Sequence, residues 1–223
     1  MNTPRTGLRH SQEGEWDRVW KKRDIASRIV DFGRSIYVFF FERVLKRYLP
    51  KNALMLELGC GTSMLTVSLA KHLPDIKVTG LDISQASLDI SRKNAEEKGV
   101  RNMEFVIGDC KRVHYENHFD LVWSNGLLEH FENPEAIARE HFKAVKQGGA
   151  ALIAVPYLYS YHKLWYAVSR PKMLRRLWLW QDVEQIFFTR KMLQDIGGKI
   201  TPHYRVFFLH PVILGMVFLE LRK

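Results

Sequence analysis

Cysteine is scarce. Two thiols, Cys60 and Cys110, among 223 residues are too few for a disulfide scaffold or a thiolate zinc site. An iron–sulfur cluster would need more ligands still. Without histidines at ligand spacing, no metal site is expected from them. Long apolar runs are scarce too. The richest, residues 206–219, is interrupted by His210 and Pro211 and falls short of the ~20 residues of a membrane-spanning helix; the run 36–41 is shorter again. The first fifteen residues carry no apolar stretch of the ~7 to 15 residues found in a secretory leader, so the expected location is cytoplasmic. Internal repeats and low-complexity tracts are missing. So are a Gly-x-Ser-x-Gly nucleophile elbow and a phosphate-cradling Gly-x-x-x-x-Gly-Lys-Ser/Thr loop.

What remains is an ordinary globular composition, 46% hydrophobic and 26% charged, at a length that suits one domain with small additions. The net charge of +10 is unevenly spread: +6 over residues 1–52, −3 over 53–156 and +7 over 157–223. Within the last part, residues 157–181 hold Lys163, Arg170, Lys172, Arg175 and Arg176 without an acid, together with three tryptophans and four tyrosines. Such a stretch suits an anionic membrane surface, nucleic-acid bases, or an elongated substrate. It equally suits a solvated helical hairpin whose aromatics pack inward.

Periodicity divides the chain. Trp16, Val19 and Trp20, then Ile36, Phe39, Phe40, Val44 and Leu45, recur at helical spacing until Pro50 and Asn52, which predicts a helical cap over 1–52. From 53 the pattern becomes strands alternating with helices. Strands are expected at 53–58, 76–81, 103–107, 119–123 and 150–155, with helices at 66–73, 84–98 and 134–145. Ser84 stands as an N-cap with Gly99 just past that helix's end. A helix at 189–196 comes next, capped by Thr189 and stopped by Gly197-Gly198. Strands at 204–209 and 212–221 are joined at His210-Pro211. This order predicts an α/β, Rossmann-like, doubly wound sheet of seven mostly parallel strands, ending in a C-terminal antiparallel hairpin. Ligands on such sheets bind at the carboxyl ends of the strands.

Directly after the first strand stands Glu57-Leu58-Gly59-Cys60-Gly61-Thr62-Ser63. The glycines permit a tight turn and close approach of a ligand. Asp82 lies 21 residues beyond Gly61, at the end of the second strand, where a carboxylate can accept hydrogen bonds from a ribose diol. Two such bonds would contribute about 1.5 to 3 kcal/mol each. The third glycine of a dinucleotide fingerprint is replaced by Met64, and Glu57 would repel phosphates while suiting an amino group and a positive centre. S-adenosylmethionine has both and carries no phosphate.

These residues resemble the class I S-adenosylmethionine-dependent methyltransferases, particularly the small-molecule group that includes the ubiquinone and menaquinone enzymes. Leu56 to Thr62 matches the first motif of that family, with Ser63 at its usual third glycine, and Leu81-Asp82-Ile83-Ser84 matches the ribose-binding acidic motif. Gly108-Asp109-Cys110 is similar to the segment whose aspartate meets the adenine amino group. The stretch from Phe119 through Ser124, Asn125, Gly126, Leu128, Glu129 and His130 is similar to the fourth strand and its loop, and Lys146 to Gly149 to the turn before strand five. The resemblance implies a methyltransferase domain over 53–223 with an acceptor-side insertion at about 157–181. It also implies a cofactor site of Glu57, Gly59, Cys60, Gly61, Asp82, Ile83, Gly108, Asp109, Cys110, Ser124, Asn125 and Gly126. The Asp/Asn-Pro-Pro-Tyr/Phe motif of enzymes acting on planar nitrogens is absent near Ser124.

Oxygen or carbon acceptors need a base beside the cofactor. His130 is the best-placed candidate, followed by Tyr157, His162 and Tyr161, and last Glu184. His130 also fits a residue that merely orders its loop. In the family the acceptor is held by the N-terminal helices and by the segment beyond strand five, here the two basic, aromatic regions. Trp16, Trp20 and Tyr37 are placed either to close over the cofactor or to pack in the core. A small or lipid-like acceptor met near an anionic membrane surface is expected. RNA or protein gripped by the basic flanks, and a cofactor-binding protein without turnover, are the alternatives.

Overall fold

The computed structural model describes residues 17, 38–160, 185–209 and 215–223. The core of the molecule is one seven-stranded sheet: β1 (Leu54–Leu58), β2 (Lys77–Asp82), β3 (Met103–Ile107), β4 (Phe119–Asn125), β5 (Val145–Pro156), β6 (Tyr204–Leu209) and β7 (Met216–Arg222). Its order is β3-β2-β1-β4-β5-β7-β6. β1 to β5 run parallel, and β7 lies antiparallel between β5 and β6. The expected sheet and its terminal antiparallel hairpin are both present. Order reverses between β1 and β4, so a ligand crevice belongs at the carboxyl ends of these two strands.

Among the described residues the sheet is covered by α1 (Met64–His72), α2 (Gln85–Glu97), α3 (Pro134–Ala144) and α4 (Arg190–Gly198), together with the helical stretch 38–45. Their starts are written in side chains. Ser84, Asn133 and Thr189 each accept a bond from the amide three residues on, as N-caps do, and Pro134 opens α3 where no amide is needed.

The central strands are buried on both faces and alternate between two cores. Leu56, Leu58, Val122, Ile153 and Leu219 face the cluster under α3 and α4, which contribute Ile137, Ala138, Leu193 and Ile196. Met55, Leu121, Trp123, Leu152 and Phe218 face the other cluster, with Leu69 and Ala70 of α1. Phe41, Val44 and Leu45, from the helical stretch 38–45, fill that second cluster, Phe41 lying edge-on to Trp123 at 5.8 Å. The apolar spacing at Phe40, Val44 and Leu45 therefore marks a helix packed on the sheet itself.

Of the boundaries that differ from expectation, the end of β4 bears on the crevice and the start of β5 on the opposite end of the sheet. β4 runs on to Ser124 and Asn125, paired with Ile153 and Ala154, so these two residues are strand end and not loop. β5 begins at Val145, because Phe119 pairs with Val145 and Leu121 with Ala150. The skipped residues contain the tight turn at Gly148, φ 79°. Trp16, Trp20, Ile36, Tyr37, Tyr161, His162, Glu184, most of the basic aromatic stretch and the His210-Pro211 corner lie outside the described residues.

Candidate functional site

Between β1 and α1 the chain makes a turn in which Gly59, Gly61 and Ser63 all have positive φ, at 65°, 53° and 49°. The amides of Gly59 and Cys60 both bond the Leu81 carbonyl on β2, at 2.8 and 3.1 Å, which folds the turn over the sheet's end. Ser63, standing where the resembled family keeps glycine, adopts the left-handed conformation that makes glycine the usual choice, a strain of roughly 1 kcal/mol. Side chains of α2 offset it. Ser91 Oγ donates to the Gly61 carbonyl at 2.7 Å and approaches Ser63 Oγ at 3.2 Å, and Asn94 donates to the Thr62 carbonyl at 2.9 Å.

Asp82 ends β2 beside this turn. One carboxylate oxygen accepts from the Gly61 amide at 2.8 Å and the other from the Ser84 amide at 2.9 Å. Burial raises this carboxyl above the usual carboxylate range, and the Ser84 and Gly61 amides pull against that rise. Each oxygen keeps a further lone pair, so the group can still accept from a diol. Asp17, far away in sequence, bonds both Ser84 Oγ and the Ala86 amide. It thereby places a second acid at the α2 N-terminus, where negative charge is favoured.

The loop after β4 closes the other side. Gly126, φ 72°, donates to the Ala154 carbonyl at 2.9 Å. Leu127 then reaches across to the glycine turn, so that a Cβ at Gly59 would lie 2.6 Å from Leu127 Cδ1. The missing Cβ of Gly59 thus makes room for Leu127. Ser124 is fully buried and bonds His141 Nε2 at 2.8 Å. His141 Nδ1 meets the Ile137 carbonyl at 2.8 Å, and burial lowers this imidazole to about 4. Neutral His141 therefore donates from Nδ1 and accepts the Ser124 hydroxyl. Ser124 thus braces the wall from behind instead of facing the crevice.

Two carboxylates are left with unanswered oxygens. Glu57 Oε2 is buried without a hydrogen-bond partner, as are Thr66 Oγ1 and Trp123 Nε1. Thr66 and Trp123 favour the ionised Glu57 without closing a full bond on it, and burial, helped by the Asp82 charge, pushes Glu57 up to about 8. Glu129, in the short 3-10 turn Leu128–His130, is 2% exposed with Oε2 unpartnered, and burial pushes it up to about 8 as well. The folded chain holds these protons where the unfolded chain has lost them, which lowers stability as pH rises from 4.5 to about 8. His141 acts oppositely, but only between about 4 and 6.5. Between pH 6.5 and about 8 His141 no longer contributes while the two glutamates still do. Melting temperature should therefore fall across that interval, and Glu57→Gln should flatten the decline in a thermal-shift series.

The other expected residues are scattered in role. Ile83 is half-buried between Asp82 and the α2 cap. Gly108 donates to the Asp82 carbonyl at 2.9 Å, tying the end of β3 to that of β2. Asp109 is exposed and accepts from the Lys111 amide at 2.9 Å. Cys60 packs behind the turn, its Sγ 3.1 Å from where a Gly80 Cβ would stand. Burial pushes its thiol up, with Asp82 and Glu57 adding to the rise, and pushes Cys110 up to about 12, which disfavours the thiolate at both. Asn125 is exposed at the strand end, and His130 is half-buried with partners of its own. Tyr157, just past β5, packs edge-on against Phe208 at 4.8 Å and Tyr159 at 5.6 Å. Asp17, Ser91, Asn94 and Phe208 join the site without having been expected there. For Ser91 and Asn94 a signal existed, polar residues recurring with Ser87 along one inward helical stripe.

Known proteins match this architecture. A family model described as a methyltransferase domain matches residues 49–195. The malonyl-[acyl-carrier protein] O-methyltransferase of Priestia megaterium is 24% identical over 74% of this chain and 60% of its own length. The demethylmenaquinone methyltransferase of Thermotoga maritima is 29% identical over 62% of this chain and 58% of its own. The chain thus spans about three fifths of these curated relatives. Among solved structures, an S-adenosylmethionine-dependent methyltransferase from Thermotoga maritima overlays with a TM-score of 0.65 at 17% identity, over 92% of this chain and 98% of that one.

Proposed function

Because the chain belongs to the methyltransferase-domain family, we propose that it binds S-adenosylmethionine and transfers its methyl group to a small or lipid-like acceptor. The observation that carries this reading is the buried, unpartnered Glu57 Oε2 beneath a glycine turn whose Gly61 amide is held by Asp82. A buried carboxylate without a partner is costly, and an α-ammonium group is the partner that would neutralise it.

The residues fit the cofactor in its parts. Asp82 accepts the ribose hydroxyls, Glu57 faces the amino group, and Asp109 meets the adenine amino group. Gly61, with positive φ and no side chain, lets the amino-acid end approach the turn, whose Gly59, Cys60 and Gly61 amides are already held by Leu81 and Asp82. When bound, the cofactor supplies an electrophilic methyl on a sulfonium. The chain's task is to exclude water and align the acceptor, which can contribute ~7 to 11 kcal/mol. Residues 157–181 are read as the acceptor side, where Tyr157, Tyr159 and Phe208 make an aromatic ledge, while of the expected cap over 1–52 the stretch 38–45 packs on a face of the sheet.

The acceptor class is inferred from that ledge and from relatives named for a carrier-bound malonyl group and a quinone. S-adenosylmethionine labelled in its methyl group, incubated with the protein and a cell extract, is expected to leave label in a lipid or small-molecule fraction. Label in RNA, or on the side chains of proteins and not on a carrier-bound group, would overturn the acceptor class. Binding without any transferred label would make the chain a cofactor-binding protein.

A further inference from the structure

Glu129 carries a buried carboxyl group whose Oε2 has no hydrogen-bond partner among the described residues. Its turn lies directly after β4, and the neighbouring Leu127 touches the glycine turn at Gly59. Its carboxylate folds back under the loop, with Oε1 3.3 Å from where a Cβ on Gly126 would stand. The turn is fixed from the acceptor side as well, since the Ile186 amide donates to the Glu129 carbonyl at 2.8 Å. Glu129 therefore joins the crevice wall to the stretch that returns from the basic aromatic region.

We propose that Glu129, and not His130, takes the proton from an acceptor hydroxyl or amine as the methyl is transferred. This rests on the methyltransferase reading of the site. The acceptor's O–H or N–H bond breaks toward the Glu129 carboxylate and a new O–C or N–C bond forms. The methyl–sulfur bond breaks with its electron pair remaining on sulfur. A carboxylate and a sulfonium enter; a carboxylic acid and a neutral thioether leave. Burying two opposite charges that vanish together lowers the barrier in a site of low dielectric.

The charged environment of Glu129 supports this role. Its displacement comes from burial, with only its own amide acting against it. On α3, His141 is closed by Ser124 and Ile137, Glu135 pairs with Arg139 and Lys199, Glu140 accepts the Val113 amide, and Lys143 pairs with Glu116. Beyond β5 stands Tyr157, and residues 185–188 bring no ionisable side chain. Glu129 thus lacks a resident cation among the described residues, and a sulfonium would be the one that ionises it.

The test needs no acceptor. S-adenosylmethionine and S-adenosylhomocysteine share the amino group that faces Glu57, and only the first has the sulfonium. Calorimetric titration of both into the wild-type protein near pH 7, in two buffers of different ionisation heat, counts protons released. The sulfonium ligand is expected to release more, by up to about one proton. That difference should persist in Glu129→Asp and disappear in Glu129→Gln. Equal release by both ligands in the wild type, or a difference that survives Glu129→Gln, would overturn the role of Glu129. Failure of both ligands to bind the wild type would instead overturn the methyltransferase reading on which it rests. Where Glu129→Gln does not fold, equal release by the wild type still overturns the role, and Glu129→Asp carries the positive assignment.

Discussion

Replacing Asp82 by alanine is expected to weaken S-adenosylmethionine binding at least tenfold, read by calorimetry. The side chain has two duties. It accepts the Gly61 amide at 2.8 Å and the Ser84 amide at 2.9 Å, and it keeps lone pairs for a ribose diol. Alanine removes both at once. Each lost charge-assisted bond to the sugar is worth about 1.5 to 3 kcal/mol, so losing two carries the penalty to roughly a hundredfold or more. Asp82→Asn keeps one oxygen for the Gly61 amide and should fall between wild type and alanine. Denaturation of the three proteins separates loosening of the turn from loss of the ligand contact. Unchanged affinity in Asp82→Ala would remove the residue from the site.

The fold was legible in the sequence because short apolar runs alternate with capped helices. Ser84, Thr189 and Pro134 declare their elements locally, and Gly148 marks its turn. The ends of β4 and β5 were not legible, because a register skip between Phe119 and Leu121 depends on cross-strand pairing that no local window contains. The same holds for function. Glu57 and Asp82 are readable because their spacing from two glycines is fixed by a strand, a turn and a second strand. Ser124 could be placed near the crevice but not turned away from it, since its orientation is set by His141 on a helix packed behind. Glu129 sat in view beside His130, yet the property that distinguishes it is burial without a partner, which exists only once β5 and residues 185–188 have closed over the turn. Leu127 makes the same point from the other direction, because only its contact reveals what Gly59 leaves room for.

The second large effect concerns the stretch 161–184. Replacing it with a short Gly/Ser linker should abolish acceptor turnover and leave cofactor binding within a few-fold of wild type. The ends permit the operation. Tyr157 and Phe188 form a β-bridge, the Leu158 amide donates to the Phe188 carbonyl at 2.9 Å, and the Phe188 amide donates to the Pro156 carbonyl at 3.1 Å. The chain therefore departs and returns at neighbouring points, and a flexible linker costs little to close, the entropy growing only with the logarithm of its length. The cut also leaves intact the bond between Ile186 and Glu129, Phe188 in the core, and the ledge of Tyr157, Tyr159 and Phe208. It takes away five of the basic residues and five of the aromatic ones that lie beyond β5. Titration of S-adenosylhomocysteine reports the cofactor side, and label transferred from S-adenosylmethionine in an extract reports the acceptor side. Loss of both would show that the stretch supports the core, and retention of both would place the acceptor elsewhere.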